Sequence, residues 1–181
     1  MRFWRSREAA RSFGEHDALK FVVDGMLGKL ARWLRMMGHD VRYSDSADDS
    51  QLLELAKNDH RALLTRDFEL YQRAIAKGFN AFYVEGGTEE DRLAELARRY
   101  GIRLEIDMKV SRCPKCNATV KQIPKEKARG RVEESTFTYC NEFWECPRCN
   151  QVYWQGAHWT RIRKTLKAAE SQLECAEKKE A

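Results

Sequence analysis

The chain has 181 residues, of which 43% are hydrophobic and 34% are charged, so it can form a real core beneath a well-solvated surface. Its net charge of +5 permits a nucleic acid or another phosphate-bearing partner without requiring one. No apolar run reaches the roughly 18 residues that a membrane helix needs, and we therefore expect no membrane association.

The first 19 residues are predicted to form a flexible basic arm. Arg2, Arg5, Arg7 and Arg11 make this segment positive, and its apolar residues show neither helical nor strand spacing. The segment also lacks the apolar stretch of a secretory signal, which leads us to expect a cytoplasmic protein.

Between residues 20 and 109, short apolar runs alternate with segments of helical spacing. Such alternation predicts an α/β fold in which a mainly parallel sheet carries helices on both faces. The predicted strands cover residues 21–23, 40–44, 61–65, 80–84 and 102–106, and the predicted helices cover residues 26–37, 51–59, 68–78 and 88–100.

Three aspartates follow predicted strands or open predicted helices. Asp24 comes directly after the first strand, Asp49 lies at the start of the second helix, and Asp67 follows the third strand. In a parallel sheet all three belong to the carboxyl edge, where clustered carboxylates suit Mg²⁺ or Mn²⁺ and the hydrolysis of a phosphodiester. Asp49 and Asp67 are also good helix N-caps, and this structural alternative stays open for both.

Three basic residues of the first helix, Lys29, Arg32 and Arg35, are predicted to lie opposite its apolar face. They begin about one turn after Asp24, where contacts to phosphates would position a nucleic-acid backbone without reading its sequence. A solvated surface without a ligand is the alternative.

The character of the sequence changes after residue 110, where two Cys-x-x-Cys units replace the helical spacing. Cys113 with Cys116, and Cys146 with Cys149, predict a closed structural zinc site rather than disulfides. Iron in a rubredoxin-like site is the alternative.

The rest of this second module is predicted to have little core of its own, so that it depends on the metal to fold. Residues 121–135 are expected to be a charged loop. Cys140 lacks a partner at the required spacing, and Cys175 is expected to be a free thiol in the tail.

Aromatic and basic residues are mixed after the second cysteine unit. Trp154, His158 and Trp159 precede a basic helix from about residue 160, a composition typical of surfaces that stack unpaired bases. The alternative is that both tryptophans form the small core of the ribbon. Residues 166–181 are predicted to be a charged helical tail.

The segments KFVVDGMLGKLARWLRMMGHDVRY and DDSQLLELAKNDHRALLTRD, with the cysteine units and YWQGAHW that follow, resemble the Mut-seven-C RNase domain family. The resemblance covers roughly residues 21–163. It implies a PIN-like nuclease core of three α/β/α layers over residues 20–109 and a zinc ribbon over residues 110–165. It also implies metal-dependent cleavage of RNA, with acidic residues that match Asp24, Asp49 and Asp67 by position.

PIN-like nucleases usually supply one more acid, commonly a glutamate, from the segment between the first two. Here that segment is short and contains no glutamate, so Asp45 or Asp48 is left as a substitute. Arg66, inside the segment that matches the Thr-x-Asp motif, is expected to contact RNA.

We therefore expect a ribonuclease that depends on Mg²⁺ or Mn²⁺. Its RNA substrate is expected to be single-stranded, because the aromatic residues of the ribbon would stack unpaired bases. A degenerate PIN-like module that binds RNA or a protein without cutting is the main alternative, and the missing fourth acid favours it. A phosphatase is a third hypothesis, disfavoured because Asp24 is followed by Gly25 and Met26 instead of a D-x-D pair. The sequence leaves open whether the protein forms a homodimer.

Overall fold

The structure is a computed structural model that describes residues 18–180, with side chains described as far as residue 175. Nearly all of the predicted arm over residues 1–19 lies outside the described residues.

The first half of the described chain contains a parallel sheet flanked by helices. Short buried runs form its strands, and segments of helical spacing connect them, as the sequence predicts. The strands are β1 (Lys20–Val23), β2 (Asp40–Tyr43), β3 (Ala62–Thr65) and β4 (Ala81–Tyr83), and the helices are α1 (Gly28–Met36), α2 (Asp49–Asn58), α3 (Phe68–Ala76) and α4 (Glu89–Tyr100).

The strands of this sheet lie in the order β2-β1-β3-β4, and every pair is parallel. In the register, Phe21 lies opposite Val41 on one side and Ala62 on the other. Parallel strands joined by helices are covered on both faces, which explains why β1 and β3 are apolar along nearly their whole length. The predicted α/β fold with a mainly parallel sheet is confirmed.

The side chains of the two central strands alternate between two hydrophobic cores. Phe21, Val23 and Leu64 face α1 and α4, whereas Val22 and Leu63 face α2 and α3. All five are fully buried, and each burial contributes about 1.5–3 kcal/mol. This double burial fixes the register of β1 and β3, and with it the edge at which both strands end.

The predicted fifth strand at residues 102–106 is wrong. Ile102 and Leu104 are buried against the core that α1 and α4 share, but the segment pairs with no strand in the described part of the chain. A coil segment that buries every second side chain has the same apolar alternation as a strand, so the pattern does not distinguish them.

The ribbon contains an antiparallel sheet of β5 (Lys121–Ile123), β6 (Phe143–Glu145) and β7 (Val152–Trp154), with α5 (Glu134–Tyr139) before β6. One small core forms around Trp144 and a second around Phe143. The prediction of a loop over residues 121–135 is therefore wrong in part. The segment contains β5 and a short 3₁₀ helix, in which Ala128 is fully buried.

The ribbon docks on the end of α1 and on the edge strand β2. Arg35 of α1 donates a hydrogen bond to the carbonyl oxygen of Pro114 at 2.9 Å. The side chain of Asn117 accepts one from the backbone N–H of Val41 at 3.1 Å and donates one to Asp40 at 2.7 Å. These contacts cover part of a strand edge that would otherwise present unpaired backbone groups.

A long helix, α6 (His158–Glu180), returns from the ribbon to the first half and packs beside α4. Leu166 and Ala169 are buried in the same core as Phe21. The segment predicted to be a charged tail thus begins as a core helix, because its few apolar residues recur at helical spacing. Neither α6 nor any other helix of the described residues is both long and apolar enough to cross a membrane.

Candidate acidic site and metal centre

Asp24 and Asp67 follow the neighbouring strands β1 and β3 and are joined through Thr65. The Thr65 hydroxyl donates a hydrogen bond to Asp24 Oδ2 at 2.7 Å and accepts one from the Asp67 backbone N–H at 2.9 Å. The Asp24 backbone N–H donates to the Leu64 carbonyl at 3.0 Å. Because Thr65 is fully buried, these contacts hold the two aspartates in a fixed relation.

Each of these two carboxylates uses one oxygen in hydrogen bonds to the described residues. Asp24 accepts through Oδ2, and Asp67 accepts through Oδ1 from the backbone N–H groups of Glu69 and Leu70, at 2.8 and 3.0 Å. Asp67 therefore caps α3, as the structural alternative predicts. Capping occupies Oδ1 and leaves Oδ2 available to a cation. Asp67 can therefore be both a helix cap and a metal ligand.

Asp49 has a different partner. Its Oδ2 lies 2.7 Å from the Nη1 atom of Arg73 in α3, and both side chains are almost half exposed, at 44% and 48%. A surface ion pair of this kind contributes at most about 1 kcal/mol. The N-cap of α2 is Asp48, which exchanges hydrogen bonds with Gln51 in a capping box. The interpretation of Asp49 as the helix cap is therefore wrong by one residue.

Asp45 lies just beyond the end of β2, next to the turn that follows Asp24. A Cβ atom on Gly25 would lie 3.4 Å from Asp45 Cα, so the two backbones are in close contact. Gly28 permits a second close approach, because a Cβ there would lie only 2.6 Å from the hydroxyl of Tyr43. The two glycines thus have structural tasks in the turn between β1 and α1.

Within the described residues, the aspartates do not form a group of three or more whose ligand atoms lie close together. Asp24 and Asp67 share contacts with Thr65, the first through its carboxylate and the second through its backbone N–H, whereas Asp49 pairs with Arg73 instead. Mg²⁺ and Mn²⁺ prefer oxygen ligands, and Mg²⁺ commonly uses one or two carboxylates and keeps several waters. Asp24 and Asp67, which follow neighbouring strands, carry carboxylate oxygens of the kind that such a cation prefers.

The thiols of Cys113, Cys116, Cys146 and Cys149 do form such a group, with all sulfur atoms within 4.8 Å of one another. Cys113 Sγ lies 3.6 Å from Cys149 Sγ, and Cys116 Sγ lies 3.3 Å from Cys146 Sγ. A tetrahedral zinc ion with Zn–S bonds of about 2.3 Å places its sulfurs about 3.8 Å apart, so this group can hold a metal such as zinc. Cys140 lies outside the group, as predicted.

The environments of the four thiols differ. Burial raises the pKa of Cys113, but the Tyr153 hydroxyl, 3.1 Å from Sγ, and the backbone N–H groups of Cys116 and Lys115 favour the thiolate and bring the pKa to about 7. Burial, together with the neighbouring thiols of the cluster, raises the pKa of Cys116 to about 12. A cation bound by the thiols favours the deprotonated form of all four, so metal binding and loss of the thiol protons are linked.

The basic residues of α1 have unequal exposure. Lys29 and Arg32 are exposed, and Lys29 Nζ lies 3.2 Å from a carboxylate oxygen of Glu89. Arg35 is only 6% exposed, and its guanidinium donates two hydrogen bonds to the carbonyl oxygen of Val41. The predicted RNA contact of Arg35 is therefore wrong, because the ribbon covers the side of α1 on which it lies.

Trp154, His158 and Trp159 lie together where β7 meets α6. Trp159 Nε1 donates a hydrogen bond to the Trp154 carbonyl at 3.0 Å, and the rings of Trp154 and His158 meet edge to face at 6.3 Å. With Met36 and Ile162 they line a cavity of about 70 Å³ between the ribbon and the first half. His158 is exposed and both tryptophans are half-buried, so part of this surface packs and part faces solvent.

Sequence reasoning missed two features of the acidic edge. The first is the role of Thr65, for which the available signal was a threonine at a strand end two residues before Asp67. The second is an aromatic group beside Asp67, in which Phe68 is exposed and Tyr71 and Tyr83 are half-buried. The spacing of Phe68 and Tyr71 places them on one helix face, but no sequence signal brings Tyr83 to them.

Comparison with protein-family models gives a match to the Mut7-C RNAse domain over residues 19–166. Curated proteins and solved structures give no match. The matched range contains the three aspartates, Thr65 and the four clustered cysteines, and the description of the family suggests a ribonuclease-like function. Because the match covers most of the chain, this protein belongs to the Mut7-C RNAse domain family.

Proposed function

We propose that this chain is a metal-dependent ribonuclease that hydrolyses RNA phosphodiester bonds at the carboxyl edge of its parallel sheet. Asp24, Asp67 and Asp49 are the acidic residues of the site, and Mg²⁺ or Mn²⁺ is the cation that they hold.

The observation that carries this proposal is the Thr65 bridge. Asp24 makes no capping hydrogen bond to the turn that follows it, and its side-chain partner among the described residues is Thr65. The hydroxyl satisfies the Asp67 backbone N–H, and it also orients a strand-end carboxylate that caps no helix, as a cation site at this edge would need.

When bound, the cation orients the attacking water, lowers its pKa and stabilises the leaving oxygen. The chain's own part is to position the carboxylates before substrate arrives. Thr65 fixes Asp24 through Oδ2, and the first backbone N–H groups of α3 fix Asp67 through Oδ1. Groups that are already oriented need no reorganisation during the reaction.

The remaining acids complete the site from α2 and from the end of β2. Asp49 joins when its exposed ion pair with Arg73 opens, at a cost of at most about 1 kcal/mol. Asp45 is the fourth acid in this proposal, because its backbone contacts Gly25 while Asp48 caps α2.

The proposed RNA contacts combine positive charge near the acidic edge with aromatic surface on the ribbon. Phosphate contacts position a strand without reading its sequence, and stacking on aromatic rings favours unpaired bases. The residues are Lys29, Arg32 and Arg66 for phosphates, and Trp154, His158 and Trp159 for the bases of single-stranded RNA.

Cleavage of a labelled single-stranded RNA tests the proposal, with Mg²⁺ or Mn²⁺ added to protein whose zinc content has been verified. Asp24→Asn should abolish cleavage, and Thr65→Val, which removes the hydroxyl but keeps the shape, should lower the rate about 10–100-fold. Asp48→Asn is the matched control and should cut normally, because asparagine caps helices as well as aspartate does. Equal cleavage by the wild type and Asp24→Asn would refute the proposed site.

A binding module that does not cut is the second candidate function, and the ion pair of Asp49 with Arg73 favours it, since a cation must compete with Arg73. Under this hypothesis RNA binding is independent of divalent cations and of Asp24→Asn. Arg73→Gln distinguishes the nuclease from the binding module. It should increase the affinity for Mg²⁺ or Mn²⁺ in a nuclease, whereas a module without a cation site should bind no cation before or after the substitution.

A further inference from the structure

We infer that Phe68, Tyr71 and Tyr83 form a stacking platform for an unpaired base of the RNA strand that the acidic site holds. The inference rests on the proposed function and adds to it the place where a nucleotide beside the scissile phosphate is bound.

The three rings form one contiguous surface. The ring centroids of Phe68 and Tyr83 lie 5.6 Å apart in an edge-to-face arrangement, and Tyr71 lies 6.2 Å from Phe68 and 6.0 Å from Tyr83. Aromatic pairs at such distances stabilise one another. Tyr71 also packs against the core beneath α3, so the platform is supported from within while Phe68 remains 55% exposed.

The platform is continuous with the acidic site along the backbone. Phe68 is the first residue of α3 and directly follows Asp67. Tyr83 is the strand partner of Thr65 in the β3–β4 pair, and Thr65 carries the hydroxyl that bridges Asp24 and Asp67. A nucleotide stacked on these rings would therefore lie next to the carboxylates.

Packing on Tyr71 and Tyr83 explains only part of why Phe68 is aromatic. The first turn of a helix favours acidic side chains, which complement its dipole. Phe68 is more than half exposed and so forgoes much of the stabilisation that burial of a phenylalanine provides. An exposed aromatic ring at this position is better explained by a ligand with a flat apolar face.

Cationic side chains on both sides of the platform favour a nucleic acid over a second copy of the chain, although Glu69 is exposed between them and Arg73 pairs with Asp49. Arg66 precedes Asp67 directly, and Arg73 follows on α3 with 48% of its side chain exposed. Aromatic rings with flanking cations are typical of sites that bind single strands, where phosphates contact the cations and bases stack on the rings.

The test is the affinity of the full zinc-loaded chain for a labelled single-stranded RNA, measured by fluorescence anisotropy without added divalent cation so that no cutting occurs. Stacking contributes about 1–3 kcal/mol per base, so Phe68→Ala and Phe68→Leu should each weaken binding about 5–150-fold. Phe68→Trp should retain the wild-type affinity. Ile75→Ala is the matched control, because Ile75 lies on the same face of α3 two turns away and is 47% exposed.

A second measurement identifies the stacked base. Single abasic sites are placed along the RNA, and one position should weaken binding to the wild type but have no further effect on Phe68→Ala. The inference would be overturned if the wild type and Phe68→Ala bound RNA with equal affinity, or if Phe68→Ala and Ile75→Ala lost equal affinity. It would also be overturned if the protein did not bind RNA at all. A wild-type dimer in sedimentation that both variants dissociate would overturn it as well, since the face would then join two copies.

The stacking platform and the proposed nuclease function can be refuted independently of one another. RNA binding that needs Phe68, in a protein that does not cut RNA with any divalent cation, would keep the platform and refute the nuclease. Cleavage that needs Asp24, with binding that ignores Phe68, would refute the platform and keep the nuclease.

Discussion

Replacing Arg35 with methionine should loosen the ribbon from the first half of the chain and lower the free energy of unfolding by about 2–4 kcal/mol. The guanidinium donates to the carbonyl oxygens of Val41, Pro114 and Lys115, at distances between 2.9 and 3.3 Å. A buried carbonyl left without its donor costs about 1–3 kcal/mol, and this applies in full to Val41. Water can reach the other two carbonyls, which lowers their share to about 1 kcal/mol together.

Urea unfolding of zinc-loaded protein, followed by circular dichroism and tryptophan fluorescence, measures this loss. Methionine keeps most of the apolar packing, so the difference reports the hydrogen bonds. Arg32→Met is the matched control, because Arg32 is exposed on the same helix and should change stability by less than about 0.5 kcal/mol. Full stability of Arg35→Met, combined with weaker RNA binding, would refute the reasoning and restore Arg35 as an RNA contact.

Three further predictions concern the cysteine cluster, a half-buried histidine and a ribbon turn. Cys116→Ser should lose bound zinc and the near-ultraviolet dichroism of the ribbon, whereas Cys140→Ser should keep both. Burial, with a nearby arginine, lowers the pKa of His39 to about 4, so the unfolded chain binds more protons between about pH 4 and 6.5. Stability should therefore fall as the pH falls through this window, by up to about 1.4 kcal/mol per pH unit, and urea titrations of His39→Gln should show a smaller slope. Asn117→Ala should destabilise the ribbon more than Asn117→Gly does in thermal unfolding, because both lose the contact with β2 but only alanine strains the φ of 69°.

Apolar spacing predicted the four sheet strands and the helices between them, because both faces of this sheet are buried. Residues 102–106 show the limit of that signal, since burial of Ile102 and Leu104 follows strand spacing without a partner strand. The segment from residue 166 onward shows a second limit. Its charged composition predicts a solvated tail, whereas Leu166 and Ala169 place its first turns in the core.

Local spacing also decided which site residues could be predicted. The cysteine units needed only their own spacing, and the structure brings them together. The prediction for Arg35 was wrong because its partner Pro114 is 79 positions away along the chain. A helical wheel shows which residues share a face of α1 but not which segment covers that face. The platform was missed for the same reason, because Tyr83 reaches Phe68 only through the pairing of β3 with β4.

The docking of the ribbon links the cysteine cluster physically to the acidic edge of the sheet. Asn117, next to the thiol of Cys116, holds the backbone of Val41 in β2, and the end of β2 leads to Asp45 beside the acidic edge. Loss of zinc would release Asn117 and leave the edge of β2 without this partner. We therefore expect zinc removal to reduce cleavage even when Mg²⁺ is saturating, through β2 rather than through RNA binding alone. Chelators that strip both metals cannot separate these effects, whereas Asn117→Gly, which removes the contact with β2 without straining the turn, can do so when zinc is retained.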